Sequence, residues 1–221
     1  MLPIHLRLLR GFLRLFFKLL YNQMAWTYNL VAGFVSLGLW QNWVCSVTPF
    51  LQATRVLELG HGTGFLQTAM LEQGQSMIGL DASAHMGRQA SRRIRRKGYQ
   101  PMLVNGTAQN LPFLQASFDR VVATFPSEYI SDPMTLKEIR RVLAPGGKAI
   151  VLLLAWITGN SLLERATSWL FHFTGQSFHW EDHYLDPVRQ AGFRAQTETI
   201  PLKNSILLVI VLEKIGDLNL P

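Results

Sequence analysis

Three glycines at alternate positions close an apolar run in Val56-Leu57-Glu58-Leu59-Gly60-His61-Gly62-Thr63-Gly64. Glycine accepts positive φ and lets a ligand approach the main chain closely. The helix expected directly after this turn would present unpaired N–H groups to an anionic or polar ligand group. The spacing is Gly-x-Gly-x-Gly, not the Gly-x-Gly-x-x-Gly of dinucleotide domains. No Gly-Lys-Ser/Thr follows, which excludes a phosphate-binding P-loop. A second chemical group stands at the end of the next apolar run, Gly79-Leu80-Asp81. A carboxylate at the carboxyl end of a neighbouring strand can accept both hydroxyls of a ribose. His61, alone among the glycines, is expected to be structural, facing solvent or a neighbouring carboxylate.

The elements that must position these groups alternate regularly from Arg55 onward. Strands are expected at residues 55–59, 76–80, 101–104, 118–123 and 148–155, and helices at 63–73, 84–97 and 133–143. Strands alternating with helices imply a parallel sheet covered on both faces. Residues 193–199 and 205–212 form a last pair joined by too short a link for a crossover helix, so that pair must be antiparallel. Ala144-Pro145-Gly146-Gly147 reads as the stop of the preceding helix and a turn into the fifth strand.

Composition bounds the rest. The chain has 221 residues, 48% of them hydrophobic, enough for one α/β domain with an added segment. A single Cys45 excludes an internal disulfide framework and a cysteine zinc site. The formal net charge is +7, concentrated in two places. No Asp or Glu precedes Glu58, and Arg7, Arg10, Arg14 and Lys18 recur at spacings that make one stripe on a helix. Residues 2–20 therefore read as a helix with a wide apolar face and a basic edge, suited either to a membrane interface or to docking on its own domain. Its charges interrupt any span across a bilayer. Residues 25–51 continue apolar and aromatic and are expected to form one or two helices near the substrate mouth, so that 1–50 is a helical extension and 51–221 the main domain. The second basic cluster, Arg88 to Lys97, is expected to be a solvated helix face.

The ordered set VLELGHGTG, GLDAS, NGTAQNLPF, SFDRVVATF and RRVLAPGGK resembles the class I S-adenosylmethionine-dependent methyltransferases, in particular the branch with a small methyltransferase type 11-like domain. The resemblance covers about residues 54 to 155. It implies a Rossmann-like α/β fold with a seven-stranded, mostly parallel sheet and an antiparallel last strand. It implies S-adenosyl-L-methionine as cofactor, with Glu58, Gly60, His61, Gly62 and Gly64 around its methionine part. Asp81 would bind the ribose hydroxyls and Ala82 would lie beside the adenine. Thr107, where the family often has Asp, and Ala108 would stand near the adenine ring, with Thr124 and Phe125 near the point of methyl transfer.

For the acceptor side, Glu128 and Tyr129 lie just past the fourth strand, where open α/β sheets bind ligands. Glu128 could orient an amine or take a proton, or serve only as a helix-start carboxylate. The aromatic segment Trp169–Tyr184, with His172, His179 and His183, reads as a lid; the histidine spacing does not define a metal site, and none is expected. His183 is the candidate there for acid–base work. The leading expectation is methyl transfer to a small-molecule or lipid-like acceptor by a cytoplasmic enzyme, peripheral on a membrane through residues 2–20. An RNA-binding methyltransferase and a non-catalytic cofactor-binding module are the alternatives. Nucleic acid ranks low because no aromatic residues interleave the basic cluster.

Overall fold

The computed structural model describes residues 38–158 and 185–215 of the chain. The basic helix expected at 2–20 and the aromatic lid with His172, His179 and His183 lie outside the described residues.

In chain order the described elements are α1 (Trp40–Cys45), a 3-10 turn (Thr48–Leu51), β1 (Val56–Leu59), α2 (Phe65–Glu72), β2 (Ile78–Asp81), α3 (Ala84–Arg96), β3 (Leu103–Asn105) and β4 (Phe118–Thr124). A 3-10 turn (Glu128–Ser131), α4 (Pro133–Val142), β5 (Leu143–Ile157), α5 (Asp186–Gln190), β6 (Phe193–Leu202) and β7 (Ser205–Lys214) follow. The seven strands form one sheet in the order β3-β2-β1-β4-β5-β7-β6. Pairing is parallel from β3 through β5, and β7 runs antiparallel to both β5 and β6. This is the Rossmann-like, mostly parallel sheet with an antiparallel last strand. The order reverses between β1 and β4, so their carboxyl ends diverge and open a crevice there.

β1 is buried along its whole length, and its period-two alternation sends side chains to two separate cores. Leu57 and Leu59 join Val121, Ala123, Ile139 and Val142 on the face covered by α4. Val56 joins Leu66, Met70, Val122 and Leu152 on the other face, with Trp43, Val44, Val47 and Leu51 from α1 and its following turn. Full burial of such a side chain stabilises by about 1.5–3 kcal/mol, so both cores hold β1 firmly at the centre. The described part of the N-terminal extension is thus integral with the sheet: Trp43 Nε1 donates to Ser205 Oγ on β7 at 2.8 Å.

Most element boundaries differ from the sequence expectation by one to three residues, β6 for instance running through Pro201 to Leu202, and the start of β5 differs by five. β5 begins at Leu143, not at 148, because Leu143 pairs with Phe118 before a register shift; Pro145, Gly146 and Gly147 sit inside this irregular start. The third strand lies at Leu103–Asn105, later than expected, where its register with Gly79, Leu80 and Asp81 is set by β2.

Gly64 caps α2 with φ +79°, and a Cβ there would meet the Ala90 Cβ of α3 at 2.9 Å. Gly64→Ala is therefore expected to destabilise the fold by more than about 1 kcal/mol, through both the backbone conformation and the clash. Thermal melts followed by circular dichroism check this; an unchanged melting temperature would contradict the tight α2–α3 contact.

Candidate active site

Asp81, 1% exposed at the end of β2, joins three strand ends. Its Oδ2 accepts from the Gly62 main-chain N–H at 2.9 Å and its Oδ1 from Ser83 N–H at 2.8 Å. Its main-chain carbonyl accepts from Gly106 N–H at 3.1 Å and from Asn105 Nδ2 at 2.9 Å. Gly60 N–H in turn donates to the Leu80 carbonyl at 2.7 Å. The glycine loop after β1, the end of β2 and the loop after β3 are therefore laced together around one carboxylate. A charged acceptor makes such bonds roughly twice as strong as neutral ones.

The loop follows a path that only glycine takes without strain. Gly60, Gly62 and Gly64 have φ of +70°, +52° and +79°. A Cβ at Gly62 would meet nothing within 4 Å, so open space lies against its main chain. At Gly60 a Cβ would meet the Tyr129 hydroxyl at 2.9 Å, so the aromatic ring packs directly on the bare backbone.

Beneath the loop, Glu58 is 1% exposed and accepts from Gln67 Nε2 at 2.8 Å. Burial pushes its carboxyl up to about 7, with the Gln67 hydrogen bond opposing and nearby Asp81 adding. The group thus sits near the point where it exchanges a proton at neutral pH, and a cation brought to it would favour its ionised form.

His61 is buried, and burial pushes its imidazole below the usual range, against the raising pull of Asp81 and the Gly62 carbonyl. Its Nδ1 lies 2.9 Å from the Gly62 carbonyl oxygen, which can only accept, so Nδ1 carries the proton of the neutral ring. Buried beside the Asp81 carboxylate, it also buttresses the loop through this bond.

Tyr129 donates its hydroxyl to the Leu59 carbonyl at 3.2 Å, and burial, with Asp81 and Glu58 nearby, raises its phenol far above its ordinary range. It is a hydrogen-bond donor at neutral pH and no base. Glu128 begins the 3-10 turn after β4 and is exposed. Ala82 and Thr107 are exposed beside Asp81 and Gly106, whereas Ala108 is buried in the core under them. Thr124 ends β4, half-buried. The structure so brings together Glu58, Gly60, His61, Gly62, Gly64, Asp81 and Tyr129, and places Ala82, Thr107, Ala108 and Thr124 on the strand ends around them. His183 lies outside the described residues.

Two positioning groups on α4, Arg141 and Glu138, escaped the sequence reading, whereas Phe125 is expected near the site from the sequence. Arg141 on α4 holds the loop after β3 by donating to the carbonyls of Leu111 at 3.0 Å and Phe113 at 2.7 Å. Glu138 completes that clamp, pairing with Arg141 at 2.7 Å and accepting from Leu111 N–H at 2.8 Å. Phe125, directly after β4, holds φ +47°, costly by about 1–3 kcal/mol for a non-glycine residue. Its ring lies 4.8 Å from that of Trp40 and 6.2 Å from that of Trp43, so α1 pins it.

Residues 56–147 match the family described as Methyltransferase domain. Demethylmenaquinone methyltransferase of Symbiobacterium thermophilum is 31% identical over 142 residues, covering 60% of this chain and 57% of that protein. Malonyl-[acyl-carrier protein] O-methyltransferase of Erwinia pyrifoliae is 35% identical over 118 residues, covering 53% of this chain and 42% of that protein. The chain thus spans about half the length of the curated relatives it matches. A solved structure from Methanococcus maripaludis, a candidate S-adenosyl-L-methionine-dependent methyltransferase, shares the fold with a TM-score of 0.65 at 18% identity, covering 89% of this chain and 95% of that one. Over residues 56–147 the chain is thus similar to methyltransferase domains, and its fold is shared with a solved methyltransferase-like structure.

S-adenosylmethionine fits what is present: open backbone at Gly62, a buried carboxyl below it able to meet a cation, and a carboxylate on the next strand able to meet a diol. One consequence concerns pH. Because folding raises the Glu58 carboxyl above its ordinary value, it favours the protonated acid; that contribution is complete below the ordinary carboxylate range and is lost as pH rises through about 7. Glu58→Gln is expected to flatten the pH dependence of stability and to exceed the wild type by about 1–3 kcal/mol at about pH 8. Urea unfolding from about pH 5 to 8 checks it; an identical slope in both proteins would contradict the buried acid.

Proposed function

We propose that this chain transfers the methyl group of S-adenosylmethionine to a small, apolar, lipid-like acceptor. The observation that carries the transfer is the Asp81 carboxylate bonded to Gly62 N–H at 2.9 Å, which builds a sulfonium-nucleoside cradle from two strand ends. When bound, the cofactor supplies an already activated methyl group on a sulfonium sulfur, with a neutral thioether to leave. The chain's own residues then have mainly to align. Gly62 would offer bare main chain to the methionine part, Glu58 would take its cationic group, and Asp81 would take the ribose hydroxyls. Ala82, Thr107 and Ala108 flank the adenine position. Alignment of this kind can lower a barrier by about 7–11 kcal/mol. Tyr129, held neutral by burial, donates a hydrogen bond and helps to close the site toward Gly60. A base is required only for an acceptor that arrives protonated, and Glu128, exposed just after β4, is the candidate for that task.

The acceptor reading rests on the aromatic pair at the end of β4, where the tilted rings of Trp40 and Phe125 have centroids 4.8 Å apart, and on a relative named for demethylmenaquinone. Aromatic side chains favour apolar, planar acceptors. Contact with a membrane surface through residues 2–20 would bring such an acceptor to the site. No helix among the described residues is long and apolar enough to cross a membrane.

Calorimetry with S-adenosylhomocysteine is expected to give saturable binding by the wild type and at least about tenfold weaker binding by Asp81→Ala, a change of about 1.4 kcal/mol or more. A folded wild type that does not bind would overturn the cofactor reading. With labelled methyl donor, a prenylated hydroquinone is expected to be methylated and a short alkyl amine is not; the reverse would overturn the acceptor reading alone. Flotation with anionic liposomes is expected to carry the full chain but not a chain lacking residues 1–20, and equal behaviour of the two would remove the membrane contact.

A further inference from the structure

Helix α3 is a divided helix. On one side its charges are structural. Arg93 Nε donates to the Thr63 carbonyl at 2.9 Å while its guanidinium lies 3.8 Å over the Phe65 ring, and Lys97 pairs with Glu72 at 2.9 Å. On the other side Arg88, Arg92 and Arg95 stand at intervals of four and three, one stripe of the helix. All three are exposed, and none has a hydrogen bond or ion pair among the described residues. They are not scattered over open surface: all three line one cavity of about 490 Å3 between α3 and the edge strand β3. Leu103 and Val104 give this groove apolar lining, and Ser83, Ser91 and Asn105 add small polar side chains. It meets the cofactor cradle only at its end, through Asp81 and His61.

Three guanidinium groups on one groove wall, with no ion pair to any of them among the described residues and Asp81 as the one carboxylate among the described lining residues, repel one another, and a bound anion relieves that repulsion. The Arg88 to Arg95 span is about 10 Å of helix rise, within reach of converging arginine side chains. Guanidinium forks match phosphate oxygens bidentately. The volume falls in the range of small-ligand sites, about 300–1,000 Å3. Among the described residues no Phe, Tyr or Trp lines the groove to stack bases, which disfavours a single nucleic-acid strand. The carboxylate end at Asp81 would repel an anion, so the charged part of the occupant belongs at the Arg92 and Arg95 end.

We propose that the groove between α3 and β3, walled by Arg88, Arg92 and Arg95, is a binding site for a phosphorylated small molecule, adjoining the methyl-donor cradle at Asp81 and His61. The phosphate is held by the arginine stripe, and the remainder of the ligand lies over Leu103 and Val104 toward Ser83 and Asn105.

The test titrates the full chain with inorganic pyrophosphate by calorimetry, at two salt concentrations. Saturable binding is expected, weakened by added salt and at least about tenfold weaker in the Arg88→Gln, Arg92→Gln, Arg95→Gln triple variant, with S-adenosylhomocysteine affinity changed less than about twofold. Ser91→Asp, which keeps every arginine and adds a carboxylate inside the groove, is expected to weaken pyrophosphate similarly, and it covers the case of a triple variant that does not fold. No saturable binding by a wild type that melts cooperatively would overturn the proposal, as would unchanged binding in the folded variants. Arginine-dependent binding of a single-stranded oligoribonucleotide or of anionic vesicles without any binding of pyrophosphate would also overturn it. Because S-adenosylhomocysteine is measured in parallel, failure of this site is distinguishable from failure of the methyl-donor cradle.

Discussion

The bond between the Asp81 carboxylate and the Gly62 main-chain N–H is the constraint around which the described structure is arranged. A loop of three positive-φ glycines has many conformations open to it in the unfolded chain, and glycine loses more freedom on folding than any other residue. A buried, charged acceptor on the neighbouring strand selects one of them. The same residue fastens the loop after β3 through its own carbonyl, so a single position sets the relative placement of three strand ends. The carboxylate expected to clasp a ribose therefore acts first as a scaffold. Both roles use the same oxygens, and a carboxylate offers about four acceptor sites to share between them.

Support for this arrangement comes from the two cores. β1 is buried on both faces, which is why the loop it feeds has a fixed origin. On one face α1 inserts Trp43, and with Trp40 it pins the strained Phe125 after β4. On the other, the Glu138–Arg141 pair on α4 reaches across to three main-chain groups of the loop after β3. Glu58 and Tyr129 lie within electrostatic reach of each other at the centre, and burial raises both groups above their ordinary range. The site is thus rigid backbone lined by side chains whose charges are held back until a ligand brings the opposite charge.

How far the sequence revealed this depended on range. The alternation from Arg55 onward was legible because buried parallel strands are short apolar runs between helical stretches, and the glycine loop and Asp81 were legible because their residue types carry the chemistry locally. The start of β5 was not: Pro145 and two glycines read as a turn, yet the pairing of Leu143 with Phe118 draws them into an irregular strand. Gln67 opposite Glu58, Trp40 against Phe125 and Arg141 under the Leu111 loop were also hidden, since each contact joins elements that meet only after folding. His61 was expected beside solvent or a carboxylate; the packed structure buries it near Asp81 and adds the bond to the Gly62 carbonyl, which no local pattern shows. The arginines of α3 looked uniform as a charge run, and geometry alone separates the structural Arg93 from the unpartnered stripe.

The account stands most directly on where a methyl-donor nucleoside meets the chain. Amide NMR of the 15N-labelled full chain during titration with S-adenosylhomocysteine tests this. The account predicts saturable shifts largest at Gly60, Gly62, Ser83 and Gly106, the amides gathered around Asp81. Shifts that leave those four amides unmoved, or that centre on the amino ends of the strands, would contradict it.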